Sequence, residues 1–165
     1  MSDGKKRVHF GEMSPQQRER LSKASKSKTV IGQDSATQIL AIASGKGGVG
    51  KSTVTVNLAV ALHNAGHKVG IIDCDVYGFS IPRMMGVEHV TPVIRDEKIV
   101  PVEAHGMRVI SVGNFVEGNT PVIWRGPMLS KILEQFLSDV DWGELDYLLL
   151  DLPPGTGDVA LDVVR

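Results

Sequence analysis

The sequence predicts an α/β fold in which a mostly parallel sheet carries helices on both faces. Three observations support this. "QILAIAS" (38–44), "KVGIID" (68–73) and "YLLLD" (147–151) are short, continuous apolar runs, the pattern of strands buried on both sides. Between them lie stretches whose apolar residues recur at helical spacing. The last two runs end in aspartate, which lines acids along the carboxyl edge of the sheet, where open α/β folds bind ligands.

Residues 1–37 read as a basic N-terminal segment and linker. Residues 1–30 hold eight Lys/Arg against three Asp/Glu, whereas residues 31–165 hold ten against sixteen. Inside the basic segment, "VHFGEMSPQQRERL" reads as a short strand, a turn and a helix capped by Ser14, with Pro15 at its first position. "SKASKSKTVIGQDSAT" then reads as solvated linker, in preference to the nucleic-acid or membrane-surface arm that so basic a head also allows.

At Gln38 the organisation changes, and the first buried strand runs into a glycine-rich loop. A helix follows from Ser52, with Val54, Leu58, Ala61, Leu62 and Ala65 expected on its core face and Gly66 at its end. "KVGIID" is the second strand. Residues 90–112 read as two or three short strands, with "VISVGNF" the most core-like stretch. "GPMLSKILEQFLSDV" is an amphipathic helix that turns Leu129, Ile132, Leu133, Phe136 and Leu137 inward. "YLLLD" is the third strand, and "GDVALDVVR" begins a further helix. No closing strand follows, so 38–165 is expected to be the N-terminal part of a domain whose sheet is incomplete.

The bulk composition narrows the classes. A chain of 165 residues, 42% hydrophobic and 22% charged, suits one globular core. No apolar run approaches the roughly 18–20 residues of a membrane span, and no signal-peptide pattern opens the chain, so a cytoplasmic protein with no membrane partner is expected. The net acidic balance after residue 30 argues against a nucleic-acid partner. Cys74, the single cysteine, excludes an internal disulfide and by itself holds neither zinc nor an iron–sulfur cluster.

The chemistry centres on "ASGKGGVGKST" (43–53). Gly45-x-x-x-x-Gly50-Lys51-Ser52 is a phosphate-loop pattern: the glycines let successive backbone N–H groups approach phosphate oxygens, and the following helix aims its positive end at the same anion. Gly45, Gly47, Gly48, Val49, Gly50, Lys51, Ser52 and Thr53 are the expected nucleotide-binding residues. Lys51 is expected to reach the β- and γ-phosphates and Ser52 to place its hydroxyl on Mg²⁺. Asp151, at the tip of a buried strand, suits the Mg²⁺ shell. Gly155 is a candidate donor of a backbone N–H to the γ-phosphate. Asp75 is the preferred carboxylate for orienting an attacking water. Asp73 is left between a phosphate-site role and plain hydrogen bonding at a strand end.

One lysine is enough for such a loop, and this one has two. With both, "GKGGVGKST" resembles the deviant phosphate loop of the MinD/ParA/nitrogenase-iron-protein class of ATPases. That resemblance implies that Lys46 reaches across a nucleotide-bound homodimer to stabilise the charge that develops on the opposite subunit's phosphate. "DCDVYGFSIPRMMG", "NTPVIWRGPM" and "LLLDLPPGTGDVAL" closely resemble the Mrp/ApbC family of iron–sulfur cluster carriers and scaffolds, over about three quarters of the chain. The family likeness implies a slow ATP hydrolase that uses ATP and Mg²⁺ and delivers a [4Fe–4S] cluster to apo-protein acceptors. It implies cluster ligands in a Cys-x-x-Cys beyond the residues seen here, and an N-terminal segment similar to the end of an accessory domain. Phe79 departs from the family's usual proline, and Cys74 from a common alanine. A MinD/ParA-type positioning ATPase and a non-catalytic nucleotide-dependent module are the alternative readings.

Other residues carry weaker signals. His63 and His67 stand four apart and read as solvated histidines on a helix surface. Met84 and Met85 read as core packing. Cys74 reads as a small buried residue. Arg125 in "WRGPM" is open between a nucleotide or partner contact and a packed turn before Pro127.

Overall fold

The computed structural model describes residues 8–9, 36–75, 78–115 and 127–155. Its strands are β1 (Val8–His9), β2 (Gln38–Ile42), β3 (Val69–Asp73), β4 (Val93–Arg95), β5 (Lys98–Val100), β6 (Val102–Ala104), β7 (Met107–Ser111) and β8 (Tyr147–Asp151). The helices are α1 (Lys51–Asn64), α2 (Ile81–Met84) and α3 (Pro127–Asp139), with a 3₁₀ turn at Val112–Phe115. The helices expected at Ser14–Pro15 and in "GDVALDVVR" lie outside the described residues.

The main sheet has five strands in the order β2-β8-β3-β7-β6. The first four are parallel and β6 is antiparallel to β7. The three apolar runs therefore sit side by side, with β8 between β2 and β3. A separate antiparallel sheet joins β1, β4 and β5. The segment 93–111 forms four strands, one more than the two or three expected. They make two tight hairpins whose turns, Asp96–Glu97 and His105–Gly106, all have positive φ. That is the twist a two-residue hairpin needs, here built largely without the Asn-Gly signature that announces it in sequence.

Pleating divides the core in two. Ile71, Val109 and Leu149 face one side of the sheet and pack with Val56 and Ala59 of α1 and Ile81 of α2. Ile72, Ile110, Leu148 and Leu150 face the other and pack against Leu129, Ile132, Leu133, Phe136 and Leu137 of α3, the stripe expected from the sequence. Helices cover both faces, as predicted.

The expected core face of α1 is corrected. Val54 is 56% exposed and Leu58 37%, and Ala61 and Ala65 are exposed too; Leu62 is half-buried. The buried residues are Thr55, Val56 and Ala59. Apolar side chains lie all round this helix, so periodicity alone cannot choose a face. The choice is made by Thr55, whose hydroxyl bonds to the sheet, and by Ala59, which is small enough for close approach to the strands.

One row of the sheet positions the site. Ile42, Asp151, Asp73 and Ser111 are register partners across β2, β8, β3 and β7. Neighbouring partners share a face, so all four point toward α1.

Candidate functional site

The loop after β2 reaches α1 through Gly48 and Gly50, at φ 72° and 91°. These left-handed values are strained for any residue with a Cβ. Gly50 is the N-cap of α1. No side chain caps the helix and no acid lies in its first turn, so the first-turn N–H groups and the helix dipole face outward, ready for an anion.

Beneath the loop, three donors from the first turn and a half of α1 converge on one fully buried carboxylate. Lys51 Nζ donates to Asp151 Oδ1 at 2.8 Å, Ser52 Oγ to Oδ2 at 2.6 Å and Thr55 Oγ1 to Oδ1 at 3.0 Å. The Lys51 side chain is 7% exposed and that of Asp151 0%. Asp75 Oδ2 lies 3.9 Å from Lys51 Nζ on the other side. Lysine, serine and both aspartates, far apart in sequence, thus meet within one cluster. The sequence marks Thr55 only by its place one helical turn after Lys51.

A cavity of about 290 Å³ opens above the cluster, lined among others by Lys46, Gly48, Lys51, Ser52, Thr53 and Asp75. Lys46 is exposed at its rim, and Val49 is exposed at the loop tip. The loop is braced by Ser44, whose Oγ donates to Lys46 O at 3.0 Å. Gly155 lies against the loop with its N–H donating to Ser44 O at 2.8 Å. In this conformation its amide bonds to the loop backbone, and that bond must open before the amide can serve a phosphate.

Asp73 takes the strand-end alternative. It is buried and does not line the cavity; its carboxylate accepts from Asp75 N–H (3.1 Å), Ile81 N–H (3.3 Å) and Ser111 Oγ (3.3 Å). Burial pushes its pKa up to about 7; the Asp151 charge adds to this, and the two backbone N–H groups and the Ser111 hydroxyl oppose it. Cys74 is buried as expected, and burial, with the Asp73 and Asp151 charges, pushes its thiol well above the ordinary range. It is not a reactive thiolate.

The histidine pair is not a helical pair. His67 lies past the end of α1, edge-on to Tyr147 with ring centroids 5.0 Å apart. His63 is half-buried, not solvated: its Nδ1 is buried without a hydrogen bond, and its ring lies so close to Gly106 that a Cβ there would sit 2.8 Å away. Both border a larger cavity of about 360 Å³ at the opposite edge of the sheet, remote from the glycine loop. Among the described residues no group of three or more His, Cys, Asp or Glu is placed to hold a metal ion. Met85 is core, but Met84 is 42% exposed, which corrects half of that pair. Phe79 lays its ring over Gly113. Arg125 lies outside the described residues.

A glycine-rich loop between a parallel strand and a helix, with a lysine and a hydroxyl on an acid from the neighbouring strand, defines the class: a P-loop NTPase domain. The chain belongs to the family described as ParA: NUBPL iron-transfer P-loop NTPase, which it matches over residues 35–165. An iron-sulfur cluster carrier protein of Bacillus subtilis is 62% identical over 136 residues, covering 82% of this chain and 38% of that protein. One from Mycobacterium bovis is 53% identical over 165 residues, covering 96% of this chain and 43% of that protein. The chain thus spans about two fifths of these relatives. A solved nucleotide-binding protein in complex with ADP from Archaeoglobus fulgidus superposes with a TM-score of 0.64 at 44% identity, covering 76% of this chain and 48% of that one. Among the described residues no helix is long and apolar enough to cross a membrane.

Proposed function

We propose that this chain is the ATP-binding and slowly hydrolysing part of an iron–sulfur cluster carrier, working as a homodimer when nucleotide is bound. Residues 38–165 are the N-terminal part of its ATPase domain, and residues 1–37 the basic segment that leads into it. The observation that carries the reading is the convergence of Lys51, Ser52 and Thr55 on Asp151 beneath an uncapped helix N-terminus.

The residues fit both nucleotide and metal. Glycine backbone, first-turn N–H groups and Lys51 form a cradle for phosphates, with Lys51 exchanging Asp151 for the β- and γ-oxygens. The Ser52 hydroxyl and the Asp151 carboxylate are hard oxygen donors suited to Mg²⁺. When bound, that ion neutralises charge on the phosphate oxygens. Asp75 accepts a hydrogen bond from the attacking water and aligns it with the γ-phosphorus. The water oxygen bonds to phosphorus, the bond to the β,γ-bridging oxygen breaks, and ADP and phosphate leave. Lys46 of the opposing subunit covers the charge that builds up on the transferring group. Turnover changes the dimer geometry and so governs loading or release of a [4Fe–4S] cargo for apo-protein acceptors in the cytoplasm. The cluster ligands lie outside these residues, since one buried cysteine cannot supply them.

The test is phosphate release from Mg·ATP by the full-length protein and by its Lys51→Ala variant. Turnover abolished by the substitution is expected. A wild-type protein that binds ATP without turning it over refutes the hydrolytic part. Failure of the full-length protein to accept a [4Fe–4S] cluster and pass it to an apo-protein refutes the carrier part.

A further inference from the structure

Asp73 poses a problem that the hydrolytic reading leaves unused. A carboxylate in the core costs more than an apolar residue of similar size, unless several donors require it. Three such donors are present, and they come from three separate elements. Asp75 N–H binds Oδ1, while Ile81 N–H and Ser111 Oγ bind Oδ2. The first is at the start of the segment that carries Asp75, the second is the first residue of α2, and the third closes β7. One side chain thus ties together both ends of the stretch 75–81 and fastens it to the neighbouring strand.

The fastening continues on the β7 side. Ser111 Oγ accepts from Gly113 N–H at 3.0 Å, and Ser111 N–H donates to Asn114 Oδ1 at 2.9 Å. Asn114 Nδ2 reaches Val90 O at 3.2 Å, beyond α2. Phe79 presses on Gly113, where a Cβ would stand 2.5 Å from its ring, so the same corner supports the stretch from below. Asp75 itself accepts from Gly78 N–H at its carbonyl, 3.3 Å away. Its backbone is therefore held on both sides while its carboxylate faces the cavity.

We infer that Asp73 and Ser111 are positioning residues for ATP hydrolysis, a clamp that fixes the backbone of Asp75 and so aims its carboxylate at the attacking water. The inference rests on the hydrolytic reading above. Neither residue lines the nucleotide cavity, whereas Asp75, Gly78 and Ser80 of the clamped stretch do, so the clamp reaches the site only through that stretch, and phosphate binding rests on the glycine loop. A displacement on the order of 1 Å in such a group costs about 10²-fold in rate.

The experiment uses the full-length protein and three variants, Asp73→Asn, Ser111→Ala and Ser111→Thr. Three quantities are measured: ADP affinity, kcat and KM for Mg·ATP, and amide hydrogen exchange at Asp75 and Ile81. Asparagine keeps one acceptor oxygen of nearly the same shape but cannot serve all three donors. Expected for Asp73→Asn and Ser111→Ala is a kcat lowered about 10- to 100-fold, with KM and ADP affinity within about threefold of wild type. Ser111→Thr, which keeps the hydroxyl, restores most of the rate. Exchange at Asp75 or Ile81 accelerates in Asp73→Asn. Wild-type kcat in both weakened variants overturns the clamp. So does a rate loss matched by an equal loss of ADP affinity, the signature of general damage. A wild-type protein without turnover refutes the hydrolytic reading separately, and the clamp is then judged by exchange: unchanged protection at both amides in Asp73→Asn overturns it.

Discussion

Lys51→Ala should destabilise the chain well before any nucleotide is considered. Lys51 and Asp151 form an ion pair at 2.8 Å whose side chains are 7% and 0% exposed. Removing one partner of a buried pair leaves a charge without its counter-charge, at a cost of about 3–5 kcal/mol. Ser52 and Thr55 still donate to Asp151, which places the expected loss at the lower end, about 3 kcal/mol. In a chain of this size each kcal/mol moves the unfolding midpoint by about 2–4 °C, so Tm should fall by roughly 6–12 °C. Thermal and urea unfolding of Lys51→Ala, Asp151→Asn and the double variant complete a cycle. A double variant less damaged than the sum of the singles, with a coupling of about 1 kcal/mol or more, is expected. Tm unchanged in Lys51→Ala, or singles that add to within about 0.5 kcal/mol, would refute the argument that these groups hold each other in the core.

Three further predictions follow from named contacts. Asp73 stands at about 7 in the folded chain against an ordinary value of 3.8. The folded state therefore keeps a proton that the unfolded state has lost, and stability falls as pH rises from about 4 to about 7. Across that window Asp73→Asn should gain on wild type by up to about 4 kcal/mol, read from urea midpoints at its two ends. Gly70→Ala would set a methyl 2.8–2.9 Å from Leu145, Leu148 and Trp142. Overpacking of this kind should cost about 1–3 kcal/mol, and urea midpoints equal to wild type would show that the side chains move aside freely. Lys46→Ala, at the exposed rim, should lower kcat about 10³-fold or more while ADP affinity holds; affinity falling in step with kcat would place this lysine on its own subunit's nucleotide.

Some of this was legible in the sequence for plain physical reasons. Strands β3 and β8 stand out because burial on both faces demands unbroken apolar runs; β2 has the same kind of run but lies at the edge of the described sheet with no residue fully buried, which corrects its reading as a buried strand. The phosphate loop stands out because few residue types fit its backbone. Helix α3 was readable down to its five core residues because one face alone is apolar. Helix α1 was not: Val54 and Leu58 look like core and are exposed, while Thr55 looks like surface and is buried on Asp151. Its orientation is decided by hydrogen bonds to a residue nearly a hundred positions away. Separation along the chain likewise hid Ser111 from Asp73, 38 positions away, and Gly155 from Ser44. Periodicity reports on neighbours along the chain and cannot report on these.

The row formed by Ile42, Asp151, Asp73 and Ser111 has a consequence for how the chain can go wrong. In a strand, sliding by a single position turns every side chain to the opposite side. Were β8 to thread one step out of place, Asp151 would land among the leucines beneath α3, and Lys51 would meet Leu150 or Leu152 instead of an acid. A misthreaded chain therefore carries no diminished site; it has none. Capture of nucleotide becomes a proofreading signal for the sheet, since only correctly aligned chains are drawn off and stabilised by the ligand.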